Sequence, residues 1–306
     1  MTTLVFGHKS PDTDSTGSPI IWAWWLNEIM GVDAKPVLLG EPNTEALFML
    51  DHWKLDKPEI ISDVADDQPV VIVDTNNPAE LPANINNADI RAIIDHHKLV
   101  GGLETKGPIH IVMEPLACTA TIMWKIIGKD MAQMPSEIKG AMLTCILSDT
   151  LEFRSPTTTQ EDKAIAWSLA ESLGIDIPTY AAQMFAAKSD VSSFSEAELL
   201  RMDSKEYEVG GKQFRVSVLE TTSPASVLDR KDALMAAMPG VAEADGADQV
   251  LLFVVDILNE EATMLIPNEL SKTVAEKSFG ATVSGDTVVL PGIMSRKKQI
   301  IPNLKV

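Results

Sequence analysis

In the first half of the chain, apolar residues fall into short runs, each closed by a polar residue. Leu4-Val5-Phe6 leads into Gly7-His8, Val70-Val71-Ile72-Val73 into Asp74, and Ile90-Arg91-Ala92-Ile93-Ile94 into Asp95. Runs of this length, rich in β-branched residues, predict strands at residues 2–7, 35–39, 70–74, 91–95 and 110–113. Longer stretches with helical spacing alternate with them, which predicts βαβ units and a mainly parallel sheet. Ser15 or Thr16 is positioned to cap a helix carrying Ile20, Ile21, Trp24, Trp25 and Met30 on a broad apolar face. The Trp22-Ala23-Trp24-Trp25 cluster reads as helix packing rather than a stacking platform.

From Cys118 to Lys188 the spacing is helical throughout. Starts are marked at Pro135-Ser136-Glu137, Thr159-Gln160-Glu161-Asp162 and Pro178-Thr179. Lys188-Ser189-Asp190-Val191-Ser192-Ser193 is small and polar, a linker pattern, and the periodicity changes after it. Segments 206–209 and 213–219 flank Gly210-Gly211 and predict a β-hairpin. A helix rich in Ala and Met follows, then strands at 249–257 and 262–266 and a short helix near 268–276. The expected organisation is α/β. An N-terminal domain, residues 1–188, has a mainly parallel sheet flanked by helices; a short linker, 189–194, joins it to a smaller C-terminal α/β domain, 195–306.

Composition narrows the classes. Of 306 residues, 45% are hydrophobic and 23% charged, a globular profile. No apolar run reaches the ~18 residues of a membrane span. The first residues lack the order of a secretory signal, and the two cysteines, Cys118 and Cys145, sit in apolar stretches; a cytoplasmic protein is expected. The net charge of −19, from 44 acidic and 25 basic residues, argues against a nucleic-acid partner. It would equally repel a small anion, so an enzyme for anions must reverse the field locally, with metal ions and a few placed basic residues such as Ser295-Arg296-Lys297-Lys298.

The candidate chemistry lies where the apolar runs end. His8-Lys9-Ser10-Pro11-Asp12-Thr13-Asp14-Ser15, Asp74, Asp95-His96-His97 and Ser148-Asp149-Thr150 each close such a run. In a parallel sheet the carboxyl ends of the strands meet along one edge, so His8, Asp74 and His96 are expected to converge there. Asp149, following a helix, joins them by a different route. Carboxylates mixed with imidazoles suit ions that accept both oxygen and nitrogen, such as Mn²⁺ or Co²⁺. Two ions ~3.5–4 Å apart would lower the pKa of a bridging water and neutralise an attacked phosphoryl group. No Walker-type glycine loop and no Ser or Cys nucleophile motif competes with that reading. His96 and His97 are adjacent and in extended backbone would point to opposite sides, one to metal and the other to substrate. Asp95 is expected either to orient an imidazole or to hold backbone. His52 and His110 are read as serving the fold, Lys205 as a solvated lysine, and the run at 296–298 as a solvated tail.

Together these clusters resemble the DHH phosphoesterase superfamily, and within it the manganese-dependent family II inorganic pyrophosphatases. The resemblance rests on the His8–Ser15 cluster, Val73-Asp74-Thr75, Asp95-His96-His97, Ser148-Asp149-Thr150, and a tail, Ser295-Arg296-Lys297-Lys298-Gln299, similar to the signature of their DHHA2-type C-terminal domain. It implies hydrolysis of inorganic pyrophosphate by a hydroxide bridging two Mn²⁺ (or Co²⁺) ions, with Mg²⁺ arriving with the substrate. His8 and Asp12 would bind one ion, Asp14, His96 and Asp149 the other, and Asp74 both. His97, Lys205, Arg296 and Lys297 would hold pyrophosphate. The resemblance also implies an active site in the interdomain cleft and a homodimer formed through the N-terminal domain. The alternative is a related phosphoesterase acting on polyphosphate or on oligonucleotide or nucleotide phosphates. Exonuclease relatives generally carry Asp where His8 stands and end in a glycine-rich motif.

Overall fold

A computed structural model describes residues 1–189, 191 and 194–306, and the statements below concern those residues. The chain divides into two compact units, Met1–Met184 and Phe185–Val306. Of the expected linker, positions 190, 192 and 193 lie outside the described residues.

The first unit is built on strands β1 (Thr3–Phe6), β2 (Ala34–Leu38), β3 (Glu59–Ile60), β4 (Pro69–Val73), β5 (Asp89–Asp95) and β6 (His110–Met113). They form one sheet in the order β3-β2-β1-β4-β5-β6, with every neighbouring pair parallel. The five expected strands are present; β3, two exposed residues long, carried no apolar run to reveal it. The helices are α1 (Thr13–Glu28), α2 (Thr44–His52), α3 (Thr119–Ile127), α4 (Ser136–Asp149), α5 (Gln160–Leu173) and the first part of α6 (Ile177–Ser189), which crosses the boundary after Met184. α1 packs on β1, β2 and β4 and also on α4, while α3 packs on β5. Among these helices none is long and apolar enough to cross a membrane.

Alternation along the strands sorts the core. Phe6, Val37, Val70, Ile72 and Ile90 pack in one cluster with Leu81 and Ile85 from the connection between β4 and β5. Ile93 joins the same cluster although it is three residues from Ile90, not two. The reason is a bulge: Val70 pairs with Ile90 but Val71 with Ala92, so Arg91 is an extra residue on β5. One extra residue reverses the parity of everything beyond it, including Asp95 at the strand end.

α1 begins earlier than the sequence predicts. Its N-cap is Asp12, not Ser15 or Thr16, and Asp12 Oδ1 accepts a hydrogen bond from the Ser15 amide at 2.9 Å. Asp is as good a cap as Ser, and here it brings Asp14 inside the first turn. Trp22 is buried in this helix, as expected of a packing residue.

The second unit has α7 (Glu196–Met202), β7 (Ser204–Val209), β8 (Lys212–Thr221), α8 (Ala225–Leu228), α9 (Lys231–Ala244), β9 (Gln249–Asp256), β10 (Glu261–Leu265), α10 (Glu269–Phe279) and β11 (Thr287–Pro291). The sheet runs β11-β10-β9-β8-β7, antiparallel except for the β8–β9 pair. Gly210 and Gly211 turn the β7–β8 hairpin at φ 60° and 76°, the left-handed pair that a two-residue loop requires. Every residue of β9 is buried, and Val250, Leu252 and Val254 meet Leu199, Leu200, Leu234, Met238 and Val241 from α7 and α9. α7, α8 and β11 are not among the expected elements. Ser195 and Glu198 form a reciprocal capping box that announces α7, and Thr287-Val288-Val289-Leu290 is a β-branched run that fits β11.

Candidate metal centre

The carboxyl ends of β1, β4 and β5 deliver ligands to one place. β1 ends at Phe6, and the chain turns through Gly7 to His8. A Cβ on Gly7 would lie 1.9 Å from Ser15 Oγ, so only glycine allows that approach. The same Ser15 Oγ accepts a hydrogen bond from the His8 amide at 2.7 Å. His8 Nε2 then lies 3.5 Å from Asp12 Oδ2 and 3.4 Å from Asp74 Oδ2. Asp12 therefore does two things at once: one oxygen caps α1 and the other faces His8.

Asp74 follows β4 with φ 56°, left-handed backbone that Asp tolerates better than most residues. Its amide still donates to the Ile94 carbonyl at 2.9 Å, extending the ladder by one bond while the side chain swings to the sheet edge. Asp74 Oδ1 lies 3.3 Å from His96 Nε2 and 3.7 Å from His97 Nδ1. The two imidazoles do not point to opposite sides: their centroids are 4.4 Å apart, edge to face. β5 ends at Asp95, so the strand geometry that would have separated them no longer holds.

Each ring is fixed by its other partner. His96 Nδ1 lies 3.2 Å from the Leu116 carbonyl, which aims Nε2 at Asp74. Asp95 Oδ1 accepts from the His97 amide and lies 2.9 Å from His97 Nδ1; Oδ2 accepts from Asn76 Nδ2 at 2.5 Å. Asp95 thus combines both expected roles, but it orients His97 and not the imidazole nearest the carboxylates. Asn76, which the sequence reading passed over, also accepts from the Val100 amide and donates to the Lys98 carbonyl, pinning the turn after His97.

Asp14 and Asp149 arrive on helices. Both oxygens of Asp14 are held, Oδ1 by Ser18 Oγ at 2.6 Å and Oδ2 by the Thr119 amide at 2.7 Å. Asp149 is the last residue of α4. Three groups of potential ligands have their donor atoms within 4.8 Å of one another: His8, Asp12 and Asp74; Asp74, His96 and His97; Asp14, His96 and Asp149. Shared members make them one centre. His52 and His110 belong to none of these groups.

The electrostatics show what such a centre would take. Burial, and then the charges of Asp14 and Asp12, push the Asp74 carboxyl well above the usual carboxylate range. Asp149 is raised for the same reasons, with Asp74 adding to the repulsion. Asp95 goes the other way: burial alone would raise it, but hydrogen bonds from His97 and Asn76 and the His97 charge hold it below the usual range. Asp74 Oδ2 and Asp149 Oδ2 are shielded from solvent without a hydrogen-bond donor. Clustered carboxylates with orphaned buried oxygens, beside His96, whose Nδ1 is already held by the Leu116 carbonyl, fit a divalent cation that takes oxygen and nitrogen.

Comparison with known proteins identifies the family. The profile described as DHH family, N-terminal domain, matches residues 2–148, and the profile of the DHHA2 domain matches residues 182–306. A probable manganese-dependent inorganic pyrophosphatase of Bacillus pumilus is 38% identical over 304 residues, covering 99% of this chain and 97% of that protein. One of Lactobacillus johnsonii is 34% identical, covering 98% and 97%. The chain belongs to the manganese-dependent inorganic pyrophosphatase family. Among solved structures, a putative family II inorganic pyrophosphatase of Methanococcus jannaschii superposes with a TM-score of 0.86 at 32% identity, covering 99% of this chain and 98% of that one. An exopolyphosphatase-related protein from Bacteroides fragilis, at 13% identity and TM-score 0.52, shares the fold alone.

The basic residues expected to hold substrate lie in the second unit. Lys205 is the second residue of β7, half-buried. Arg296 and Lys297 open a short π-helical turn, Arg296–Ile300, capped by Ser295. Arg296 Nη1 donates to the Asp203 carbonyl at 2.9 Å and pairs with Asp203 Oδ1 at 2.7 Å, which fixes the tail turn beside the start of β7. Burial would lower the guanidinium pKa, but Asp203 and Tyr207 overturn that and hold it above its ordinary value. Lys297, next in the same turn, is exposed.

Proposed function

We propose that this chain hydrolyses inorganic pyrophosphate to two phosphates at the centre formed by His8, Asp12, Asp14, Asp74, His96 and Asp149. The observation that carries the reading is the meeting of two ligand groups, His8-Asp12-Asp74 and Asp14-His96-Asp149, at one sheet edge. Full-length kinship with manganese-dependent inorganic pyrophosphatases supports the substrate. His8 and Asp12 would hold one Mn²⁺ or Co²⁺ and Asp14, His96 and Asp149 a second, with Asp74 shared; its Oδ2 faces His8 and its Oδ1 faces His96. When bound, two such ions supply a bridging hydroxide near neutral pH and neutralise phosphoryl oxygens.

The chain's own side chains supply positioning. With Nδ1 engaged by Asp95, the His97 ring is oriented to offer Nε2 to a phosphate oxygen or a departing proton. Lys205, Arg296 and Lys297 would neutralise pyrophosphate, and the Asp203 pair pre-sets the Arg296 fork for bidentate contact. Mg²⁺ would accompany the substrate as a further counter-ion.

A homodimer through the N-terminal domain is part of the same proposal, supported by the open edge of β6, where Ile111 is 55% exposed. Two buried free thiols support a cytoplasmic, reducing setting. The test is phosphate release from pyrophosphate, tripolyphosphate and a short oligonucleotide, assayed in parallel with added Mn²⁺. Pyrophosphate should be preferred by at least ~10-fold, about 1.4 kcal/mol. Preference for tripolyphosphate or the oligonucleotide would replace this reading with that of another DHH phosphoesterase.

A further inference from the structure

Glu45 sits in the first turn of α2, a helix that contributes none of the candidate ligands, and it is fully buried. Its Oε1 accepts two hydrogen bonds, from Thr13 Oγ1 at 2.6 Å and from Ser148 Oγ. Thr13 stands between Asp12 and Asp14, and Ser148 immediately precedes Asp149. One oxygen atom therefore ties the first turn of α1 to the last turn of α4, at the two helix ends that carry Asp14 and Asp149. Burying a carboxylate is unfavourable unless hydrogen bonds compensate, and here two hydroxyls beside the ligands satisfy its Oε1. An apolar side chain in its place would leave both hydroxyls without this acceptor, with the Cys145 thiol on the Thr13 carbonyl and the α1–α4 packing left to join the two helix ends.

We propose that Glu45 is a positioning residue of the cation centre, setting the distance between Asp14 and Asp149 through Thr13 and Ser148. The proposal rests on the reading that this centre binds divalent ions. Its consequence is selective. Asp14 and Asp149 share a ligand group with His96, whereas His8, Asp12 and Asp74 form another. Thr13 adjoins Asp12 as well as Asp14, but Asp12 is held by its own cap bond to the Ser15 amide, while the Ser148 arm reaches only Asp149. Loss of the Glu45 acceptor should therefore loosen the ion of the first group and leave that of the second nearly unchanged. Contacts made directly to metal ligands are worth ~10–100-fold in metal affinity, and Glu45, acting one residue removed through Thr13 and Ser148, belongs at the lower end of that range.

The experiment is equilibrium Mn²⁺ binding to the full chain, followed by calorimetry and by the electron paramagnetic resonance of free Mn²⁺. Wild type, Glu45→Gln and Glu45→Ala are compared. Glutamine keeps a carbonyl acceptor and should bind both classes of Mn²⁺ within ~3-fold of wild type; alanine should weaken one class by at least ~10-fold and the other by no more than ~2-fold. Wild-type binding by Glu45→Ala, equal weakening of both classes, or a loss in Glu45→Gln as large as in Glu45→Ala would each overturn the proposal. If Glu45→Ala does not fold, Ser148→Ala decides: it removes one donor and should weaken the same single class by ~3–10-fold, and unchanged binding there overturns it. Absence of Mn²⁺ binding by wild type would overturn the metal reading itself, and this proposal with it.

Discussion

The two units gather charge by different means. In the first, a parallel sheet does the gathering: successive strands end on the same edge, so His8, Asp74 and the Asp95-His96-His97 turn meet there by strand order, and side-chain bonds such as Asn76 to Asp95 only fix the turn. In the second, β7 is antiparallel to β8, and the tail turn lies 91 residues beyond Lys205, from 296 − 205. No sheet rule brings Arg296 to β7; the Asp203 pair does. The strand-end part of the acidic centre is thus a product of topology, whereas the basic one depends on where the tail turn is held against Asp203 and is the easier to detune. Substitutions in the two regions should differ accordingly.

The largest effect belongs to Asp74, which takes part in two of the three ligand groups. Asn is the better substitution than Ala, because Asn tolerates the left-handed backbone at φ 56°. Asp74→Asn should lower pyrophosphate turnover by about 10³-fold or more. It should not unfold the chain. Removing one of several mutually repelling carboxylates should raise the melting temperature of the metal-free protein while abolishing the extra stabilisation given by Mn²⁺. Near-normal turnover would break the assignment of Asp74 as the shared ligand.

In the second unit, Arg296→Ala or Lys297→Ala should weaken kcat/KM for pyrophosphate by at least ~10-fold, about 1.4 kcal/mol. Mn²⁺ affinity should stay as in wild type. That split between substrate and metal would sharpen the contrast between the regions; unchanged kinetics would return the run to a solvated tail.

Metal-free stability should report the first unit's repulsion through pH. Asp74 and Asp149 have folded-state pKa values raised above the ordinary 3.8, so the folded chain holds protons that the unfolded chain has released. Their stabilising contribution is full below about pH 4 and is lost as pH rises through the raised values. Asp95 has the opposite shift, and its contribution is lost only below the ordinary carboxylate range, so it does not cancel the trend above pH 4. Chelated protein should therefore lose melting temperature from pH 4 towards 7, and Mn²⁺ should reverse the slope because ligands must be deprotonated to bind. A flat profile in chelator would argue against buried, unneutralised carboxylates.

The same contrast governs what could be read from sequence. Strand ends are legible because a β-branched run and its closing polar residue are local, and so His8, Asp74 and Asp95-His96-His97 could be placed on one edge. What the pattern hid depends on partners distant in the chain or on backbone detail. The Arg91 bulge reverses the facing of β5 and leaves no compositional mark. The end of β5 at Asp95 lets both imidazoles face Asp74, which alternation alone denies. Asp12 as N-cap was obscured by Ser15 and Thr16, equally good caps a few residues on. Asn76 and Glu45 have no signature at all, because their importance lies in what they touch. In the second unit, Arg296 reads as solvated until the Asp203 contact shows how the tail is fixed.

Asp203 offers the finest test of that contact. Arg296 is held by two bonds, one to the Asp203 carboxylate and one to its backbone carbonyl, and only the first depends on the side chain. Asp203→Asn should therefore loosen the guanidinium without releasing it. Asp203 is 36% exposed, so the ion pair is screened and should contribute no more than ~1 kcal/mol to stability. The kinetic effect should be of similar size, roughly a 3-fold rise in KM for pyrophosphate with kcat nearly unchanged. Arg296→Ala combined with Asp203→Asn should be no worse than Arg296→Ala alone, because Asp203 acts only through the arginine. Additive losses in the double variant would show instead that Asp203 has a separate role, and the basic set of the second unit would then rest on more than one tie.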